Sequence, residues 1–141
     1  MKKICLTLIA LALAATAHAE APAGEIRAEA TGVRSDKGAV KCALFPSSAG
    51  FPRSPRITTT AAIRDGRAVC VFAARPAGAY AVAVFHDENG NGKLDTNLVG
   101  APKEGIGFSN DARAKLAPPP FEAARFAHAG TSTRLSIHLV Y

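Results

Sequence analysis

The chain has 141 residues, and its 17 basic and 11 acidic side chains give a formal charge of +6 at pH 7. This length fits one domain with a single core. After the first few residues the Lys and Arg side chains are scattered singly, without basic blocks or interleaved aromatics. The charge therefore indicates a solvated surface and argues against nucleic acid as a partner.

The first segment has the features of an export signal. Met1-Lys2-Lys3 is positively charged, the stretch from Ile4 to Ala17 is apolar, and Ala17-His18-Ala19 has the small-x-small form of a signal-peptidase site. The apolar stretch is shorter than the about 20 residues that span a bilayer, and no later stretch approaches that length, so we expect no membrane span.

We therefore predict a signal peptide over residues 1–19, cleavage after Ala19 and a mature domain over residues 20–141. Two of the 17 basic residues leave with the signal and no acid does, so the mature charge is 15 − 11 = +4. The expected location of the product is the periplasm or the outside of the cell.

Three cysteines are present, and Cys5 lies within the predicted signal. Cys42 and Cys70 remain as an even pair in an oxidising compartment, each within an apolar strand-like run, so we expect a disulfide between them. Two buried free thiols are the alternative. A catalytic dithiol is not indicated, because no Cys-x-x-Cys motif is present.

The mature sequence reads as short strands separated by turn residues. Strands are predicted at residues 25–31 and 39–45, and then at 57–64 and 67–74 as a hairpin with a type I′ turn at Asp65-Gly66. The next run, residues 79–85, is apolar on both faces, as expected of a central strand with layers on each side.

The C-terminal half begins with an acidic loop. Residues 99–120 are rich in Gly, Pro, Asn and Ser, which predicts an ordered surface excursion. Residues 121–128 fit either a strand or one helical turn, and residues 133–141 form a last strand. The whole pattern predicts an all-β fold, a single antiparallel two-sheet β-sandwich of about seven strands.

The acidic loop, residues 87–97, has the pattern of a calcium loop. Its candidate ligands are the side chains of Asp87, Asn89, Asn91 and Asp95 and the backbone carbonyl of Lys93, at positions 1, 3, 5, 9 and 7 of an EF-hand-type loop. Ca²⁺ prefers six to eight oxygen ligands of this kind. The sequence therefore predicts a calcium site.

The twelfth position of the loop departs from the pattern. A bidentate Glu normally occupies this place, whereas the chain has Leu98. At least one further ligand must therefore come from water, from Asn97 or from a more distant carboxylate, and Glu104 is the nearest unassigned acid. With so few carboxylates the affinity should be weak, in the range of roughly 10⁻⁴ to 10⁻³ M that is typical of extracellular modules. A metal-free turn stabilised by Asx side chains is the alternative.

Enzymatic function finds little support in the motifs. His86, Glu104 and Ser109 are residue types from which a periplasmic hydrolase or small-ligand binder could be assembled. No Gly-x-Ser-x-Gly or His-Glu-x-x-His motif accompanies them, and the strand parity of His86 favours a structural role at a strand end. We therefore expect no catalytic activity.

Three segments carry a family resemblance: residues 78–97, 100–110 and 119–124. They closely resemble an uncharacterised family of exported bacterial proteins catalogued as domain of unknown function 2141. The resemblance covers nearly the whole mature chain and implies a secreted single domain, but no activity. More loosely, Pro76-Ala77-Gly78-Ala79-Tyr80 resembles a strand start of transthyretin-like and carboxypeptidase-regulatory-like sandwiches, and this likeness implies a sandwich of that kind. The fold that we expect is transthyretin-like or immunoglobulin-like.

The function expected from the sequence is that of a non-catalytic exported module with a structural calcium site. Its partner would be a protein or a glycan that meets the loops of a stiff scaffold. An assembly subunit or adhesion accessory that uses an exposed strand edge is a further alternative. The oligomeric state stays open.

Overall fold

A computed structural model describes residues 24–113 and 116–141. The predicted signal peptide and its cleavage site after Ala19 lie outside these residues. The described part contains eight strands, a short 3₁₀ turn at Ser109–Asp111 and one helical turn, α1 (Phe121–Ala124). The strands are β1 (Gly24–Thr31), β2 (Ala39–Phe45), β3 (Ile57–Ala61), β4 (Ala68–Arg75), β5 (Gly78–Asp87), β6 (Ile106–Phe108), β7 (Phe126–His128) and β8 (Thr133–His138).

The strands form two sheets, as the all-β prediction requires. One sheet has the order β4-β1-β8 and the other the order β3-β2-β5-β6, with β7 also paired to β5. Every second side chain of β1, β2 and β4 is buried, and these side chains build one core between the sheets. Ile26, Val40, Leu44, Val82 and Ile137 are fully buried in it.

One strand pair differs from the antiparallel prediction. β1 and β8 run parallel, with Ile26 opposite Thr133 and Thr31 opposite His138. The chain reaches β8 from β7, which belongs to the other sheet. A connection that changes sheets does not impose the antiparallel direction of a tight hairpin, and the sheet β4-β1-β8 is therefore mixed.

The predicted hairpin at Asp65-Gly66 is only partly present. Both residues have positive φ, 52° and 71°, and Arg64 and Arg67 exchange two backbone hydrogen bonds, so the type I′ turn is confirmed. The flanking strands then separate, because β3 pairs with β2 in one sheet and β4 pairs with β1 in the other. The turn thus passes the chain between the two sheets.

The predicted disulfide is present. Cys42 on β2 and Cys70 on β4 are bonded, with their Cα atoms 6.4 Å apart. Each side chain is 1% exposed and belongs to the main core. Since β2 and β4 lie in different sheets, the bond links the two layers of the sandwich.

Strand β5 is covered on both sides, as its two apolar faces predict. Tyr80, Val82 and Val84 face the main core. On the opposite side Ala81 packs in a smaller cluster with Phe108, and the partly buried members of this cluster are Phe51, Ala83, Ile106, Ala112 and Phe121. β5 is therefore the central strand of its sheet, and it supports the predicted calcium loop that follows it.

The segment 99–120 lies partly inside the fold. Residues 106–108 form β6, which pairs with β5, and residues 121–128 form both alternatives in succession, α1 and then β7. The sequence pattern did not predict β6, because three residues between glycines and polar residues are too few to show the alternation that identifies a strand. In the described residues, no helix is long and apolar enough to cross a membrane.

Candidate cation site

The candidate site begins inside the sheet, because β5 extends two residues beyond its predicted end. Its last residue, Asp87, pairs with Ala39 of β2 and is only 2% exposed. The first residue of the predicted calcium loop is therefore held by a strand, with its carboxyl group directed away from bulk water.

The loop folds around this carboxyl group. The backbone N–H of Gly92 donates to Asp87 Oδ2 at 2.8 Å. Two further backbone N–H groups donate to Asn side-chain oxygens, Asn91 to Asn89 Oδ1 at 3.2 Å and Lys93 to Asn91 Oδ1 at 2.9 Å. These are Asx turns, and they curl the backbone as both the calcium interpretation and the metal-free alternative require.

Asp95 lies across the loop from these turns. Its carboxylate accepts hydrogen bonds from Asn89 Nδ2 at 2.6 Å and from Asn91 Nδ2 at 3.0 and 3.1 Å. The structure therefore brings together the side chains predicted for positions 3, 5 and 9. In this arrangement the Asn amides present their N–H groups to Asp95 and their oxygens to the backbone.

Glu104 reaches the base of the loop from the returning chain. It is 5% exposed, and its two oxygens accept the backbone N–H groups of Glu88 and Asp95, each at 3.1 Å. Leu98, at the twelfth position of the loop, is fully exposed and contributes nothing to the interior. An acid from outside the loop is thus hydrogen-bonded to the backbone of Glu88 and of Asp95, near the two ends of the loop.

One atom in this site has no partner. Oδ1 of Asp87 is buried and makes no hydrogen bond. Across the described ranges, no group of three or more His, Cys, Asp or Glu side chains is arranged to hold a metal. A site here would therefore depend on amide and carbonyl oxygens beside the carboxylates, which Ca²⁺ accepts.

His86 precedes the loop and is fully buried. Its Nε2 lies 2.7 Å from the carbonyl oxygen of Lys37, so this nitrogen carries the proton, and its Nδ1 accepts from the Tyr141 hydroxyl at 2.8 Å. The backbone N–H of Arg34 donates to the same hydroxyl oxygen at 3.1 Å. His86 thus joins three distant parts of the chain, as a structural strand-end residue would.

An ion pair covers the outer side of the loop entrance. Glu88 accepts hydrogen bonds from the guanidinium of Arg34 and from the Ser35 hydroxyl, and these bonds lower the pKa of Glu88 from 4.5 to about 2. The pKa of Arg34 is raised by the same pairing. The guanidinium also lies 4.5 Å from the centre of the Tyr141 ring. Glu88 is therefore an anion at neutral pH and is engaged with Arg34.

Ser109 lies apart from this network, although the sequence had grouped it with His86. Its hydroxyl donates to the Ala124 carbonyl at 2.5 Å and accepts the Val82 N–H at 2.9 Å. Val82 lies between the stretches of β5 that pair with β7 and β6. Ser109 thus fills a gap in the hydrogen bonding of the sheet, and its side chain bonds to Val82 and Ala124, not to His86 or Glu104.

Sequence reasoning predicted Asn89, Asp95 and Glu104 as site residues but missed the cations that lie beside them. An open groove of about 500 Å³ is lined by Arg34, Lys37, Glu88, Asn89, Asp95, Lys103 and Glu104. Arg34 and Lys37 precede the loop by some fifty residues, and only the pairing of β2 with β5 brings them near it. No local motif marks such residues.

Comparison with known proteins identifies a family and little else. The model of a family described as "Uncharacterized protein conserved in bacteria (DUF2141)" matches residues 29–136. This range includes the loop, Glu104 and both disulfide cysteines. No curated protein and no solved structure matches the chain.

Proposed function

The chain belongs to the DUF2141 family of uncharacterised bacterial proteins, and we propose that it is an exported, non-catalytic β-sandwich whose loop 87–97 holds a structural Ca²⁺ ion. The family supplies no activity, so the proposal rests on the residues of this chain. In it, the ion fixes the loop, and the loop serves as the recognition face of a binding or accessory module.

The unpartnered Oδ1 of Asp87 is the observation that carries the proposal. A buried carboxylate oxygen without a donor is costly, and the great majority of buried polar atoms have a partner. The other oxygen of this carboxylate is already engaged with Gly92. A hard cation at Oδ1 would supply the missing charge and the missing contact together.

The neighbouring groups have the chemistry that such a cation needs. Asn89, Asn91 and Asp95 surround the same loop interior, and amide hydrogens hold the Asp95 carboxylate there. An arriving cation would replace these hydrogens as the partner of Asp95. Rotation of the amides would then turn their oxygens inward, since an amide offers a donor at one end and an acceptor at the other.

Glu104 and the Lys93 carbonyl would complete the ligand set. Glu104 is already fixed at the loop base by two backbone donors. It would supply the carboxylate that is absent from the twelfth position of the loop, where the chain has Leu98. Two to three carboxylates with amide and carbonyl donors make a weak site, with a Kd of roughly 10⁻⁴ to 10⁻³ M. Such a site fills where Ca²⁺ is abundant, outside the cytosol.

Two features support export. The N-terminal segment has the pattern of a signal peptide, and Cys42 and Cys70 are joined in a disulfide, which is a bond of oxidising compartments. Mass spectrometry of the protein recovered after expression in a Gram-negative host would test this part of the proposal. We expect a mature chain that begins at Glu20, and an unprocessed N-terminus would contradict it.

The enzymatic alternative requires His86, Glu104 and Ser109 to act on one substrate. In the structure both ring nitrogens of His86, both oxygens of Glu104 and the Ser109 hydroxyl bond to other groups. A catalytic role would first have to break these bonds. A structural role for the three residues needs no such change.

Thermal unfolding with and without Ca²⁺ tests the ion site. For a Kd of this order, about 10 mM Ca²⁺ stabilises the protein by roughly 1.4 to 2.7 kcal/mol, because only the folded state binds the ion. We expect the increase in Tm to vanish in the double variant Asp87→Asn, Asp95→Asn. The matched control Glu122→Gln removes a charge from an exposed side chain of α1, away from the loop, and should keep the full increase. An unchanged Tm of the unaltered protein, with no heat of binding in calorimetry, would end the proposal.

A further inference from the structure

An exposed apolar tip follows loop 87–97. It consists of residues 98–102, Leu98-Val99-Gly100-Ala101-Pro102, and every one of these residues is exposed. The side chains at its front, Leu98 and Val99, are 107% and 87% exposed. Single apolar side chains on a surface are ordinary, but an uninterrupted exposed run of five is typical of a surface that something else covers.

The tip is rigidly built. Asn97 Oδ1 accepts the backbone N–H groups of Val99 and Ala101, each at 3.0 Å. The backbone of Asn97 also exchanges hydrogen bonds with the turn, donating to Ala101 O at 2.8 Å and accepting from Gly100 N at 3.0 Å. Two aliphatic side chains are thus presented outward by a hydrogen-bonded turn.

The tip is attached directly to the candidate cation site. The backbone carbonyl of Asp95 accepts the N–H of Lys103 at 2.8 Å, and the N–H of Asp95 donates to Glu104. Both ends of the tip are therefore joined to proposed ligands. An ion that fixes Asp95 and Glu104 also fixes the direction in which the tip points.

The charges around the tip depend on the ion. Four cations and four anions flank the loop and the groove beside it, so the region is neutral without a metal. Bound Ca²⁺ adds two charges and gives 4 − 4 + 2 = +2. Lys93 and Lys103, the two cations nearest the tip in the chain, are both exposed. The full set is Arg34, Lys37, Lys93 and Lys103 against Asp87, Glu88, Asp95 and Glu104.

We propose that the apolar tip docks on an anionic lipid bilayer, with Leu98 and Val99 entering the interfacial region and Lys93 and Lys103 meeting the headgroups. The dependence of this docking on Ca²⁺ rests on the proposed ion site. A projecting pair of aliphatic side chains needs no preformed pocket in a fluid bilayer, whereas a protein partner would have to supply a matching one. The flanking lysines complement an anionic surface, and their attraction falls within a Debye length.

Co-sedimentation with lipid vesicles tests the docking. The mature protein is mixed with vesicles of phosphatidylcholine alone or with one quarter phosphatidylglycerol, in millimolar Ca²⁺ or in EGTA. We expect binding to the anionic vesicles, strengthened by Ca²⁺ and weakened by high salt. The variant Leu98→Asp, Val99→Asp should lower the partition coefficient by at least about tenfold, since each fully buried aliphatic side chain is worth about that factor.

The matched control is Leu116→Asp. Leu116 is as exposed as Leu98, at 101%, but belongs to another segment, so this variant should bind like the unaltered protein. Equal binding of the tip variant, or no binding of the unaltered protein to anionic vesicles, would overturn the proposal. Self-association that the tip variant abolishes, seen by analytical ultracentrifugation without lipid, would also overturn it in favour of a second copy of the chain.

The same samples separate this proposal from the ion site. An increase in Tm with Ca²⁺ but no sedimentation with anionic vesicles would reject the bilayer as partner and leave the ion site standing. Equal sedimentation in Ca²⁺ and EGTA, together with an unchanged Tm, would reject the ion site while supporting the tip as the membrane contact.

Discussion

The disulfide gives the sharpest prediction for stability, because the structure fixes its effect on the unfolded chain. Cys42 and Cys70 are 28 residues apart in sequence. Closing a loop of that length lowers the entropy of the unfolded state, which corresponds to about 3.6 kcal/mol at 25 °C. The double variant Cys42→Ala, Cys70→Ala should therefore lose roughly this much free energy of unfolding, a large share of the about 5 to 15 kcal/mol that is typical of a domain.

Urea unfolding at 25 °C measures this loss. With an m-value near 2 kcal/mol/M, a value typical of small domains, the midpoint should fall by about 2 M. Because the variant exposes a longer free chain on unfolding, its m-value should rise. A reducing agent should lower the midpoint of the unaltered protein and leave that of the variant unchanged. The truncation of two core side chains should add to the loss of free energy of unfolding. A total loss below about 1 kcal/mol would therefore refute the loop-entropy reasoning.

Three further predictions concern single positions. The pKa of Glu88 is about 2 in the folded protein and 4.5 ordinarily. Its pairing with Arg34 therefore stabilises the fold above about pH 4.5, and this stabilisation is lost as the pH falls towards 2. Glu88→Gln should make the decline of Tm across that interval less steep. Ser109→Ala should cost about 1 to 3 kcal/mol in urea unfolding, because it leaves a buried backbone N–H unpaired, and a neutral result would contradict the role assigned to the hydroxyl. Gly105→Ala should lower Tm, since its Cβ would clash with the Tyr141 ring and displace the hydroxyl that bonds to His86; an unchanged Tm would contradict this reasoning.

Local patterns were sufficient for the parts of the fold that depend on local physics. Positive φ at Asp65 and Gly66 follows from the residue types, and the turn is present as predicted. Cys42 and Cys70 are joined in a disulfide, as the even pair of cysteines in the predicted mature chain led us to expect. The acid missing at Leu98 suggested a substitute at Glu104, and Glu104 does lie at the loop base, although its part in binding a metal stays a prediction.

Other features depend on contacts that no short window of sequence contains. The parallel pairing of β1 with β8 joins segments more than a hundred residues apart, and its direction is set by the change of sheet after β7. The partners of His86 come from Lys37 and Tyr141, which carry no shared motif. Such placements follow from the packing of whole sheets, and sequence periodicity describes only one strand at a time.

The position of the loop determines what a bound ion can contribute. Loop 87–97 and the apolar tip make up most of the connection between β5 and β6. The base of this connection is closed by the pairing of Phe85 with Ile106 and by the bond from His86 N to Gly105 O at 2.8 Å. The pairing of β5 with β6 therefore offsets the entropy cost of closing this connection, without any contribution from an ion. An ion has only to order the loop interior between Asp87 and Glu104. It should thus fix the local geometry of the site and of the tip, while the core and the disulfide account for folding.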